Sequence, residues 1–158
     1  MTSRLSLGLA AAGAIALADQ ATKWWMAGLL LPSQGRPVEL LPFFRLVEVW
    51  NRGMSFGLFN DAQASWVFVV LAGVISAGLV WWLARAETGL TALSIGLVLG
   101  GALGNVVDRL RYGAVFDFLD FHALGWHWPA FNLADSAISV GVALLLLEGL
   151  SGARGSHT

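Results

Sequence analysis

Residues 89–107, GLTALSIGLVLGGALGNVV, run for nineteen positions without a charged side chain. A hydrocarbon core of about 30 Å takes roughly 20 helical residues to cross, so this stretch predicts a membrane span. Working outward, Arg85-Ala86-Glu87-Thr88 separates it from a second apolar run over 65–84, and so short a link predicts an antiparallel helical hairpin. Comparable runs cover 5–31 and 133–150. The four windows carry only Asp19, Lys23, Asp135 and Glu148 of the chain's nine Lys+Arg and ten Asp+Glu side chains. Lipid admits only helices and closed barrels, because every backbone polar group must be satisfied internally. The expected fold is an all-α membrane protein with four transmembrane helices, a single domain over residues 1–158, with both termini on one side. Arg4 and Ala16-Leu17-Ala18 imitate a cleavable leader, but the apolar run continues past Asp19 to Leu31 and reads as a span.

Two longer connections remain. Between the first and second spans, Pro32, Gly35, Pro37 and Pro42 precede an aromatic and β-branched stretch. It predicts a small extramembrane β-rich segment, a hairpin turning at Asn51-Arg52-Gly53. The connection from Asp108 to Asn132 is dense in charges and aromatics, with Asp108, Arg109, Arg111, Asp117, Asp120, Trp126, His127 and Trp128.

Composition closes several function classes. A formal net charge of -1 offers no electropositive footprint for nucleic acid. With no cysteine, thiolate metal sites, disulfides and a cysteine nucleophile are all excluded. The three histidines, His122, His127 and His157, are badly spaced for a zinc site, and no Ser/His pair lies in a GxSxG-like setting. No metal or organic cofactor is expected.

Charges at membrane depth cost roughly 2.5–3.5 kcal/mol each on insertion scales and mark function by default. Asp19 and Lys23, four residues apart, share a helix face and can form an internal ion pair or act directly on a substrate. Glu148, close to the polar tail, reads as interfacial. Asp135 enters the fourth span behind Asn132, and helix capping accounts for one of these two polar residues. Asp117, flanked by Phe116 and Phe118, would be desolvated, or be a solvated loop acid, a description that also suits Asp120. Two carboxylates in a partly dry site cannot both ionise comfortably, which provides an acid and a base for hydrolysis. The same acids suit a proton or cation path, and the Gly100/Gly104 GxxxG face with the Trp-rich loops suits an assembly factor. Beyond those glycines, Asn105, Asp108 and Arg109 recur at i, i+3 and i+4 as a polar patch.

Five blocks in order, Asp19-Gln20-Ala21-Thr22-Lys23, Asn51-Arg52-Gly53-Met54-Ser55-Phe56-Gly57, Gly100 through Arg109, Gly113 through Phe118, and Phe131-Asn132-Leu133-Ala134-Asp135, resemble the lipoprotein signal peptidases. This family, also called signal peptidase II, consists of bacterial four-span aspartic proteases. The resemblance implies that Asp117 and Asp135 are the catalytic aspartates. Asn51, Gly53, Asn105, Arg109 and Asn132 then match positions around the active site, with Asp108 counted among the supporting residues and Asp19 and Lys23 as a supporting pair. Met54 stands where the family more often has a small residue. The implied substrate is a prolipoprotein whose signal helix lies in the bilayer and whose cysteine carries a diacylglyceryl group, cut just before that cysteine. Membrane lipids are the remaining partner and a monomer the expected state. The aromatic segment around Trp50 and Phe56 is expected to clamp over the site.

The resemblance also implies cytoplasmic termini and a site near the outer face of the inner membrane. The basic residues point the other way. Arg4, Arg85 and Arg154 accompany the termini, against Arg36, Arg45, Arg52, Arg109 and Arg111 with the long connections, which taken naively would put those connections in the cytoplasm. The orientation expected here follows the resemblance.

Overall fold

The computed structural model describes residues 2–33, 35–53 and 61–155. Four long helices dominate: α1 (Thr2–Leu30), α2 (Asp61–Leu83), α3 (Gly89–Tyr112) and α4 (Leu133–Gly155). All four are long and apolar enough to cross a membrane. The third is the hub, packed against α1, α2 and α4, while α2 turns most of its side chains, Val70 and Val74 among them, outward to lipid.

Small residues let the helices approach. A Cβ on Gly100 would stand 2.6 Å from the Ala12 carbonyl oxygen of α1, and one on Gly101 would meet the Ala134 carbonyl of α4. The GxxxG face is therefore filled by this chain's own first helix rather than left for a partner. Gly100→Ala is expected to overpack that contact and cost about 1–3 kcal/mol, read as a lowered unfolding midpoint in detergent. At the end of the bundle where α2 meets α3, Glu148 accepts hydrogen bonds from the Thr88 and Thr91 hydroxyls and ties α4 to the start of α3.

Two sequence expectations are corrected. The third span does not stop at Val107. It continues to Tyr112 and closes on Gly113, whose φ of 71° is left-handed and whose N–H bonds the Arg109 carbonyl at 3.0 Å. Asp108, Arg109 and Arg111 are thus helical, not part of a loop. The hairpin also turns elsewhere: β1 (Val38–Leu41) and β2 (Phe44–Asn51) join at Pro42-Phe43, and Asn51 ends a strand.

The β-rich segment recruits the other long connection. β3 (Val115–Ala123) pairs with β2, and the short β4 (Trp126–His127) pairs with β3, giving a four-stranded antiparallel sheet ordered β1-β2-β3-β4. Phe116 and Phe118 project from one face onto Leu30 and Leu46, anchoring the sheet on the end of α1. The register of β2 against β3 shifts between Leu46 and Val49, a bulge that sets Val49 opposite Asp117. Asp120 is not a solvated loop acid. It is 5% exposed, with Arg45 Nε at 2.7 Å and His127 Nδ1 at 3.0 Å. Burial pushes its carboxyl up, but the Arg45 and His127 contacts together hold it below the ordinary carboxylate range.

Candidate active site

The N-terminus of α4 is buried at Asn132 and Ala134, so its first N–H groups need partners within the protein. Asn132 is the cap. Its Oδ1 accepts from Asp135 N–H at 3.0 Å, and Asp135 Oδ2 accepts from Asn132 N–H at 3.2 Å. This reciprocal capping box uses both residues, where capping was expected to explain only one. Asp19 reaches across from α1, its Oδ1 accepting from Ala134 N–H at 3.0 Å.

The Asn132 side chain then extends the network beyond the helix end. Its Nδ2 donates to Asp117 Oδ1 at 2.7 Å, while Asn51 Nδ2 donates to Asp117 Oδ2 at 3.0 Å. Asp117 and Asp135, eighteen positions apart on β3 and α4, are thereby bridged by a single residue. Asp117 is 1% exposed and Asp135 half-buried. Burial pushes the Asp117 carboxyl up to about 7, with the Asn51 bond opposing and the Asp135 charge reinforcing the rise.

Behind this pair lies a second layer. Asn105 Nδ2 donates to Asp135 Oδ1 at 2.8 Å, and its Oδ1 accepts from Asn132 Nδ2 at 3.2 Å and from Lys23 Nζ at 3.0 Å. Lys23 also meets Asp19 Oδ2 at 2.8 Å and Asp108 Oδ2 at 2.9 Å, so its three protons face three acceptors. Asp108 Oδ2 additionally accepts from Phe116 N–H at 3.1 Å, holding the strand one residue before Asp117. Asp19 and Lys23 are 0% and 5% exposed, so the ion pair is internal. Gly104 makes room for the Asp19 carboxylate, since a Cβ there would stand 2.4 Å from its Oδ2.

On the opposite flank, Asn51 Oδ1 accepts from Gly53 N–H at 2.9 Å, which fixes the amide that meets Asp117. Gly53 has φ +93°, and its missing Cβ would lie 2.1 Å from the Phe68 ring. The Arg109 guanidinium lies over the same ring, 5.1 Å from its centroid. Arg109 Nη1 reaches the Asn105 carbonyl at 3.4 Å, and its buried Nε has no hydrogen-bond partner among the described residues.

All ten expected site residues therefore fall in one network. Two members were missed. Gln20 Nε2 joins Asp108 Oδ1 at 2.8 Å and the Gly104 carbonyl at 3.2 Å; its place beside Asp19 within the matching block was the available signal. Phe68 carries no signal beyond being aromatic on an apolar helix. Trp50 corrects the clamp: its ring packs on Phe116 at 5.0 Å and Tyr112 at 5.5 Å, away from Asp117. Met54 and residues 56–59 lie outside the described residues. Among the described residues, no group of three or more His, Asp or Glu side chains is placed to hold a metal ion.

Comparison with known proteins decides the family. The family model described as signal peptidase (SPase) II matches residues 11–151. The chain belongs to the signal peptidase II family. A lipoprotein signal peptidase of Methylobacterium sp. (strain 4-46) is 52% identical over 158 residues, covering 96% of this chain and 93% of the relative. Another, from Burkholderia thailandensis, is 47% identical over 146 residues, covering 90% and 87%. A bacterial membrane enzyme solved by the in meso method at 2.3 Å resolution superposes with a TM-score of 0.79 at 27% identity, covering 94% of this chain and 90% of that one. Membership in signal peptidase II makes the protein a multi-pass membrane peptidase. The ion-path and assembly-factor readings fall away with it.

Proposed function

We propose that this signal peptidase II is an intramembrane aspartic endopeptidase that removes the signal peptide from diacylglyceryl-modified prolipoproteins, cutting just before the lipidated cysteine. Relatives named lipoprotein signal peptidase support the substrate class. The observation that carries the catalytic reading is Asn132, which donates to Asp117 through its side chain and to Asp135 through its main chain in a largely buried site.

The environments assign the roles. Asp117, buried on the face of β3 that meets Asn51 and Asn132 and raised to about 7 by that burial, is the acid. Asp135 is the carboxylate, met by the Asn105 amide and by an N–H at the positive end of the α4 dipole. Asp135 takes a proton from a water as its oxygen attacks the scissile carbonyl. Asp117 hydrogen-bonds that carbonyl oxygen and then delivers its proton to the leaving nitrogen. Arg109, its guanidinium over the Phe68 ring, holds a substrate carbonyl through its terminal nitrogens. The enzyme works as a monomer without metal or organic cofactor. The termini are cytoplasmic, and the site lies near the outer face of the inner membrane.

Purified protein is expected to cleave a diacylglyceryl-modified prolipoprotein and to leave its unmodified precursor intact; equal cleavage of both would remove the lipid from the recognition. The pH profile carries a sign. Below about 7 Asp117 holds its proton and the acid is present, whereas above that value Asp117 ionises and the acid is lost. kcat/KM should fall on the alkaline side with an apparent pKa of about 7, a value that belongs to the coupled pair. A flat profile to pH 9 would take the proton away from Asp117. Orientation is testable because the chain has no cysteine. Arg36→Cys is expected to react with a membrane-impermeant maleimide on intact spheroplasts, and Glu87→Cys only after lysis. The reverse pattern would invert the topology.

A further inference from the structure

The excess of arginine beside the long connections opposes the proposed orientation, and the active site absorbs only part of it. Arg45 is paired with Asp120, and Arg109 lies over Phe68. Of Arg36, Arg52 and Arg111, the last is exposed on the final turn of α3, with no carboxylate partner among the described residues. It lines a cleft of about 430 Å³ between α1, the end of α3 and the sheet, walled by Trp24, Trp50 and Tyr112. Arg52 lines an adjoining hollow that shares Trp50 and Tyr112. Asp108 and Lys23 also line the cleft, but they are 2% and 5% exposed and bonded to each other, so the exposed charge there is that of Arg111.

This cleft is not the peptidase groove. Successive strand residues point to opposite faces. Phe116 faces the cleft with Trp50, while Asp117 faces Asn51 and Asn132. Tyr112, at 60% exposure, ends α3, and Trp24, at 82%, lies in the last two turns of α1, close to the level at which aromatic side chains meet lipid headgroups. An apolar slot at that depth with the exposed Arg111 guanidinium at its mouth matches one ligand chemistry, an acyl chain carrying an anionic head.

We propose that the cleft binds an anionic phospholipid, with one acyl chain along the Trp24–Trp50 wall and the headgroup phosphate on Arg111. The arginine excess on this side then serves lipid recognition rather than topology. The site also borders the catalytic support, because Asp108 and Phe116 line it and the bond from Phe116 N–H to Asp108 positions the strand that carries Asp117.

Native mass spectrometry of the full-length protein released from detergent tests this without reference to turnover. Phosphatidylglycerol is expected to be retained over phosphatidylcholine by roughly five-fold, the preference that one interfacial arginine confers. Arg111→Gln should bring the ratio close to one, and Trp24→Ala should weaken retention of both lipids. Inorganic phosphate at equal concentration should not displace the bound lipid, since it lacks the chain. Asp117→Asn should leave the preference intact. An unchanged preference in Arg111→Gln, displacement by free phosphate, or a preference lost in Asp117→Asn instead would each overturn the proposal, the last by moving the lipid into the peptidase groove.

Discussion

Asp117→Asn and Asp135→Asn are each expected to lower cleavage of a diacylglyceryl-modified prolipoprotein by at least roughly 10²–10⁴-fold, the range that a positioned acid or base contributes. An asparagine at 117 cannot supply a proton to the leaving nitrogen, and one at 135 cannot accept a proton from water. Because the two groups act on one proton inventory, the double variant should be little worse than either single one. Folding should survive. Asp117→Asn sets one amide donor against Asn51 or Asn132, a loss of about 1 kcal/mol. Asp120→Asn is the matched control: an acid on the same strand, paired with Arg45, whose loss should leave turnover close to that of the parent. Undiminished cleavage by either asparagine variant, with the fold verified by circular dichroism, would end the assignment of the pair.

Lys23→Met is expected to have the largest effect on stability. The ammonium is buried and has three acceptors, Asp19, Asp108 and Asn105, all within 3.0 Å. Methionine matches its length but removes the only cation that, among the described residues, contacts two carboxylates that are 0% and 2% exposed. Removing one partner of a buried ion pair costs about 3–5 kcal/mol, because the remaining charge stays desolvated and unpaired. Out of the 5–15 kcal/mol typical of folded domains, roughly that loss should appear as a large fall in the unfolding midpoint in detergent and in poor membrane yield. Adding Asp108→Asn should recover part of it, since the uncompensated charge then falls from two to one. Strict additivity of the two changes would show that Lys23 and Asp108 do not act as a unit.

The spans were legible because lipid excludes charge, and that exclusion leaves a mark readable in one dimension. The end of α3 was not, because a hydropathy reading stops at Asp108. The helix tolerates that acid only because Lys23, eighty-five positions earlier, meets it. β3 was obscured for a related reason. Asp117, Asp120 and His122 make the segment look like a loop, although Phe116 and Phe118 already alternate toward α1. The hairpin was misplaced because Asn51-Arg52-Gly53 has turn chemistry; there the Asx bond to Gly53 N–H orients the Asn51 amide toward Asp117.

By itself the sequence determined four spans, the exclusion of cysteine chemistry, and, through five ordered blocks, the family. These properties depend on composition and local spacing. Only the tertiary structure decided that Asp117 and Asp135 meet through Asn132, that Asp19 and Lys23 pair in the interior, and that Trp50 packs on Phe116 and Tyr112. Those outcomes depend on how closely α3 approaches α1 and α4, and on which face of β3 each side chain takes. Such distances are set by packing among residues far apart in the chain.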